Sequence, residues 1–140
     1  MTKEEQQLLK TEDLSARLPY GVCVAKGNII YPLTGINVAL GYVELAVSER
    51  ISIEEVKYYL RPMESMTDEE KKEFIHCSGY EVEESVNGRH YEYHLKDYVG
   101  TPEKPICNYN AIVWLIKHHF DYLGLIKLGI ALEAPKGMYV

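Results

Sequence analysis

The chain has 140 residues, of which 46% are hydrophobic and 26% charged, a balance near the globular average that excludes a disordered, collagen-like or disulfide-scaffold chain. One domain, or two tightly joined subdomains, of this size can bury a core without a metal or disulfide staple. Fifteen Lys and Arg against 21 Asp and Glu give a net charge of −6, and nearly all the excess lies in residues 62–108, with 5 basic and 11 acidic side chains, so that segment repels a phosphate backbone.

In chain order, T-K-E-E places Glu5 three residues after Thr2, the spacing of a capping box, and predicts a short helix from about Lys3. Pro19 stops it, because the residue before a proline is pushed out of the α region. From Tyr20 the pattern turns to short β-rich runs: GVCVA, NIIYPL, INVAL, YVELAV and ISI. A two-residue turn at Gly27 and Asn28 sets Ala25 opposite Ile30, Val24 opposite Tyr31 and Val22 opposite Leu33, with apolar pairs on both faces. Such a hairpin suits a strongly curved antiparallel sheet or small SH3-like barrel, with Pro32 at an edge or bulge and bends at Gly35 and Gly41. Residues 53–60 combine helical spacing with Tyr58 and Tyr59, and read as a helical turn leading into a strand.

M-T-D-E-E gives the clearest start signal in the chain, with Thr67 as N-cap and Glu70 at the third helical position of a helix to about His76. Asn87 and Gly88 then supply the turn of a β-hairpin over residues 80–95, one face rich in Tyr and Val, the other carrying Glu81, Glu83, Glu92, His90 and His94. Residues 99–108 read as a loop. Asn108 or Asn110 caps a core helix running through about His119, with Ala111, Trp114, Leu115 and His118 on neighbouring turns. A second short helix is expected over residues 121–128, then an extended tail ended by Pro135.

Three cysteines, Cys23, Cys77 and Cys107, cannot all pair within one chain, and the start MTKEEQQLLK carries no apolar run, which points to the cytoplasm. Residues 111–132 are apolar but broken by Lys117, His118, His119, Asp121 and Lys127, so they read as core and not as a membrane span. His76, Cys77, Cys107, His118 and His119 include soft ligands, but adjacent His-Cys and His-His pairs lack the spacing of a zinc site. No cysteine has the surroundings of a Cys-His nucleophile, and no nucleophile elbow, phosphate loop or H-E-x-x-H helix occurs. No metal, cofactor or catalytic residue is therefore expected. His118, His119 and Asp121 are the densest polar group in the apolar stretch, and capping explains them better than catalysis. Twelve tyrosines are many for this length, and Tyr58, Tyr59, Tyr91 and Tyr93 are the first candidates for a partner contact.

Three stretches, DLSARLPYGV, YYLRPMESMTDEEKKEF and WLIKHHFDYLGLIKLGIALEAP, together resemble a family of uncharacterised small proteins of gut Bacteroidetes and their phages or prophages. The resemblance covers residues 13–22, 58–74 and 114–135. It implies a setting among mobile elements and an architecture of a β unit followed by helices, and it brings no activity, cofactor or catalytic residue.

The expected fold is α+β: residues 1–62 as a short helix plus a small barrel-like sheet, and residues 63–140 as a helical unit with the inserted hairpin, sharing one core. The expected function is that of a non-enzymatic accessory protein that binds another protein or itself. The alternatives are a nucleic-acid-binding barrel using Lys10, Arg17, Lys26, Arg50, Lys57 and Arg61 if the fold gathers them, and a metal-dependent or hydrolytic site near His118, His119 and Asp121.

Overall fold

A computed structural model of the chain describes residues 1–77 and 109–139. The hairpin expected over residues 80–95, the loop 99–108 and the cap at Asn108 lie outside the described residues, and Tyr91, Tyr93 and Cys107 lie there with them. Within them the fold is α+β, with a six-stranded open mixed sheet and three α-helices.

The first helix, α1 (Lys3–Arg17), starts on the predicted capping box: the Thr2 hydroxyl accepts from the Glu5 N–H at 3.1 Å, and the Glu5 carboxylate accepts from the Thr2 N–H at 3.4 Å. It is longer than predicted because Lys10, Asp13, Leu14 and Arg17 fall at i, i+3, i+4 and i+7 and bury one continuous stripe. A 3-10 turn, Leu18–Tyr20, opens on Pro19 and ends it.

Six strands follow: β1 (Cys23–Lys26), β2 (Ile29–Asn37), β3 (Tyr42–Leu45), β4 (Glu49–Ser52), β5 (Lys57–Leu60) and, from the far end of the chain, β6 (Leu132–Glu133). Their order is β4-β3-β2-β1-β5-β6, antiparallel except for the β5/β6 pair. The first hairpin has the expected register, Ala25 against Ile30 and Val24 against Tyr31, and the Leu33 N–H bonds the Val22 carbonyl at 3.0 Å. The run INVAL is not a strand of its own. Ile36 and Asn37 extend β2, while Val38, Ala39 and Leu40 form the turn into β3. Pro32 lies inside β2 at the point where the β3 ladder has ended, beside a register shift between Leu33 and Gly35, so its missing N–H costs no bond. At that bulge Glu44 packs over Gly35, and a Cβ there would meet only the mobile tip of its carboxylate, at 2.9 Å.

The SH3-like barrel is not formed. The link after β4, a turn as predicted, carries the chain across to the free side of β1, so β5 pairs there and β4 stays an open edge among the described residues. The sheet nevertheless curls: Lys26 at the end of β1 forms an ion pair with Glu49 on β4, across two intervening strands. Flat strands would hold those positions about 14 Å apart.

The helix α2 (Asp68–Cys77) starts as predicted, with the Thr67 hydroxyl accepting from the Glu70 N–H at 3.2 Å and the Glu70 carboxylate accepting from the Thr67 N–H at 3.0 Å. The third, α3 (Tyr109–Lys117), buries Ala111, Trp114, Leu115 and Ile116. Phe74 of α2 lies against Trp114, ring centroids 5.1 Å apart, and Trp114 stacks on Phe120 at 5.9 Å. One apolar cluster runs from Leu14 through the strands and both later helices to Ala131. The helix expected over residues 121–128 is replaced by a series of turns. Gly124, at φ 74°, leaves the helical region in the middle of it. No helix among the described residues is long and apolar enough to cross a membrane.

Candidate functional site

The backbone after α3 swings across to the end of β5. His119 adopts φ 66°, a conformation that ends a helix, and its N–H bonds the Ile116 carbonyl at 3.1 Å. The Arg61 N–H then donates to the His119 carbonyl at 2.7 Å, and the Asp121 N–H to the Arg61 carbonyl at 2.8 Å. This bridge drives Phe120 into the core, under the Arg61 guanidinium at 4.1 Å.

His118, His119 and Asp121 are neighbours in sequence whose polar groups go to different places. His118 stacks on Trp114 at 4.1 Å, with its Nε2 3.9 Å from Glu73. His119 lies flat on the ring of Tyr139, centroids 3.7 Å apart, and its buried Nδ1 makes no hydrogen bond. Asp121 spends both carboxylate oxygens on backbone, accepting from the Leu125 N–H at 2.8 Å and the Ile126 N–H at 3.0 Å. Burial pushes its carboxyl above the usual aspartate range, and those two donors pull it back part of the way. This is the capping arrangement, on a turn and not a helix.

The most enclosed polar group among the described residues joins Arg17 and Tyr58, which the sequence suggested for other roles, to Asp13, which it did not single out. The Asp13 carboxylate accepts from the Arg17 Nε at 2.9 Å and from the Tyr58 hydroxyl at 2.8 Å, and Arg17 Nη2 donates to the Phe120 carbonyl at 2.8 Å. Arg17 and Tyr58 have no exposed surface. Burial opposes the guanidinium's charge, but Asp13 and the nearby Tyr58 and Tyr122 outweigh it and hold Arg17 above its ordinary value. Burial and Asp13 raise Tyr58 well above a free phenol, and burial with Asp13 pushes Tyr122 up to about 12. All three groups thus keep their protons at neutral pH, and none is poised as a base. One signal was visible beforehand: a helix with so few apolar residues can complete its buried face only with charged ones.

Tyr58 cannot belong to a partner contact, since it is fully buried. Strand alternation puts Tyr58 on the core face with Val24, and leaves Tyr59 half-buried on the other. The six basic residues make separate contacts. Arg17 is consumed as described. Lys10 donates to the carbonyls of Ile53, Glu54 and Val56 at 3.3, 2.9 and 3.0 Å, its amine lowered by burial and by Lys57. Lys26 pairs with Glu49, Lys57 bonds the Gly129 carbonyl, and Arg61 makes a two-pronged pair with Glu70 at 2.7 and 2.8 Å. Arg50 lies over the Tyr42 ring at 4.7 Å. Each of the six thus has a partner within the fold, and Lys10 and Arg17 are buried by theirs.

Open clefts lie beside the sheet. One, of about 380 Å³, lies between residues 61–67 and the C-terminal segment, and another, of about 310 Å³, is lined by Thr34, Glu44, Ser48, Glu49 and Arg50. Among the described residues no three His, Cys, Asp or Glu side chains converge on a point where a metal could sit. Comparison with protein-family models, curated proteins and solved structures finds no match.

The half-buried imidazole has a measurable consequence. Burial, followed by the charges of Arg17, His118 and Arg61, lowers His119 from 6.5 to about 4. The unfolded chain takes up this proton near 6.5 and the folded chain only near 4, so stability falls as pH drops through that window and His119 adds no further loss below it. In urea unfolding the His119→Asn variant, whose side chain tolerates the positive φ, is expected to be less stable at neutral pH and to show a shallower decline from about pH 6.5 to about pH 4. Parallel declines in the two proteins would contradict this assignment.

Proposed function

We propose that the chain is a non-enzymatic accessory protein of a phage or mobile element, acting in the cytoplasm by contact with another protein or a second copy of itself. The observation that carries this reading is the turn between β2 and β3. Val38, Ala39 and Leu40 all face solvent there, Val38 64% and Leu40 72% exposed. Turns ordinarily use Gly, Asn, Asp, Ser or Pro, which assist the backbone. Here Asn37 already does so, its side-chain Oδ1 accepting from the Leu40 N–H and its carbonyl from the Gly41 N–H, both at 2.9 Å. The aliphatic side chains add nothing to that geometry, and fully burying Val38 or Leu40 in a complex is worth about 1.5–3 kcal/mol each. Of the polar residues that could have suggested chemistry, Asp121 is meanwhile held in internal bonds, and His118 and His119 stack on Trp114 and Tyr139. The two cysteines in the described region, Cys23 and Cys77, are free, in keeping with a reducing compartment.

Light scattering and pull-down from a native lysate test the reading. The wild type is expected to self-associate or to retain a partner, and the Val38→Ser/Leu40→Ser variant to do neither while keeping its stability within about 0.5 kcal/mol. A monomeric wild type that captures nothing would end it.

A further inference from the structure

β1 and β5 separate before their ladder is complete. Val24 faces Tyr58 and Ala25 faces Lys57, a register that would next set the Cys23 N–H on the Tyr59 carbonyl. The hydroxyl of Tyr139 stands between them instead, accepting from the Cys23 N–H at 2.9 Å and donating to the Tyr59 carbonyl at 2.7 Å. Its ring lies against the His119 imidazole, the planes 12° apart. A side chain near the end of the chain thus completes a backbone pair that the two strands leave open.

The segment that carries this side chain is lightly held. Ala134 donates to the Leu60 carbonyl at 2.8 Å, and beyond it the one backbone bond among the described residues is internal, from the Met138 N–H to the Pro135 carbonyl. Pro135, Lys136 and Gly137 are exposed, and the cleft of about 380 Å³ opens beside them. Few contacts and exposed backbone mark a segment that opens at low cost.

We propose that this gap is a binding slot for a phenol, that Tyr139 is its resident occupant, and that the tyrosine side chain of another polypeptide can replace it. The chemistry selects the ligand. A donor N–H and an acceptor carbonyl facing one point require a group that both accepts and donates, which a hydroxyl does and a carboxylate or ammonium does not. The flat face of His119 requires an aromatic ring on that hydroxyl. An aliphatic alcohol meets only the first demand and phenylalanine only the second. The proposal is independent of the contact assigned to Val38 and Leu40.

The test uses the full chain with Tyr139→Ala, and p-cresol, the tyrosine side chain alone, as probe. The variant is expected to melt below wild type, and p-cresol to raise its melting temperature saturably by about 3 °C or more. Toluene, which lacks the hydroxyl, is expected to recover less than half of that rise, and wild type, its slot filled, not to move. If Tyr139→Ala is unfolded, p-cresol is expected to restore its circular dichroism. Absence of rescue, or equal rescue by toluene, overturns the proposal. A second variant, Tyr139→Phe, keeps the ring and is expected to speed hydrogen exchange at the Cys23 amide roughly tenfold, as loss of one hydrogen bond predicts. Unchanged exchange there would equally overturn it.

Discussion

Replacing Arg17 with methionine is expected to lower the free energy of unfolding by about 3–5 kcal/mol, because it strands a buried carboxylate. The Asp13 side chain is 1% exposed and the Arg17 side chain has no exposure at all. With the guanidinium gone, Asp13 Oδ2 keeps only the Tyr58 hydroxyl, Asp13 Oδ1 already makes no hydrogen bond, and the Phe120 carbonyl loses its Arg17 donor. Methionine fills much of the vacated volume, so the loss reads as electrostatic and not as a cavity. The double variant Asp13→Asn/Arg17→Met removes both charges and retains an acceptor for Tyr58, and is expected to recover half or more of the loss. Urea unfolding of the four proteins in the cycle measures this directly. A single substitution costing under about 1 kcal/mol would mean that the pair is idle, since that is the range of exposed ion pairs.

These same residues show how far the sequence could be read. Capping boxes at Thr2 and Thr67 and the hairpin at Gly27 and Asn28 were legible because each is a local pattern whose partners lie within a few positions. The α+β class followed from them. Closure of the sheet was not legible, because it depends on where the chain after β4 crosses, and that crossing is decided by the edge β1 leaves free. The helix expected over residues 121–128 had suitable spacing, but the Asp121 carboxylate bonds the Leu125 and Ile126 amides and Gly124 turns the chain left-handed between them. Side-chain competition for backbone donors defeats periodicity there. Of the candidate site, the capping role of Asp121 was readable. The burial of Tyr58 was not, because strand alternation gives two faces without saying which is inward. The polar cluster was out of reach for a different reason: Asp13, Tyr58 and Phe120 meet across 103 positions of chain between Arg17 and the carbonyl it bonds.

Asp121→Ala carries the second large effect, an expected loss of about 2–4 kcal/mol, since each buried donor left without an acceptor costs about 1–3 kcal/mol. Asp121 is 6% exposed and Leu125 fully buried, so water cannot easily replace the bond to the Leu125 N–H. The consequence spreads. Leu125 is also the acceptor for the Ile130 N–H at 3.0 Å and the Ala131 N–H at 3.2 Å, and these lead directly into β6 and the segment that ends in Tyr139. Loosening the turn therefore releases the last strand as well. Asp121→Asn keeps one acceptor and turns an amide N–H toward the other donor, so it is expected to recover only part of the loss. Thermal and urea unfolding separate the two accounts of this residue. A catalytic carboxylate can be removed with little harm to stability, whereas a structural one cannot. A melting temperature unchanged in Asp121→Ala would mean that the carboxylate is free for chemistry, and would bring His118 and His119 back as its partners.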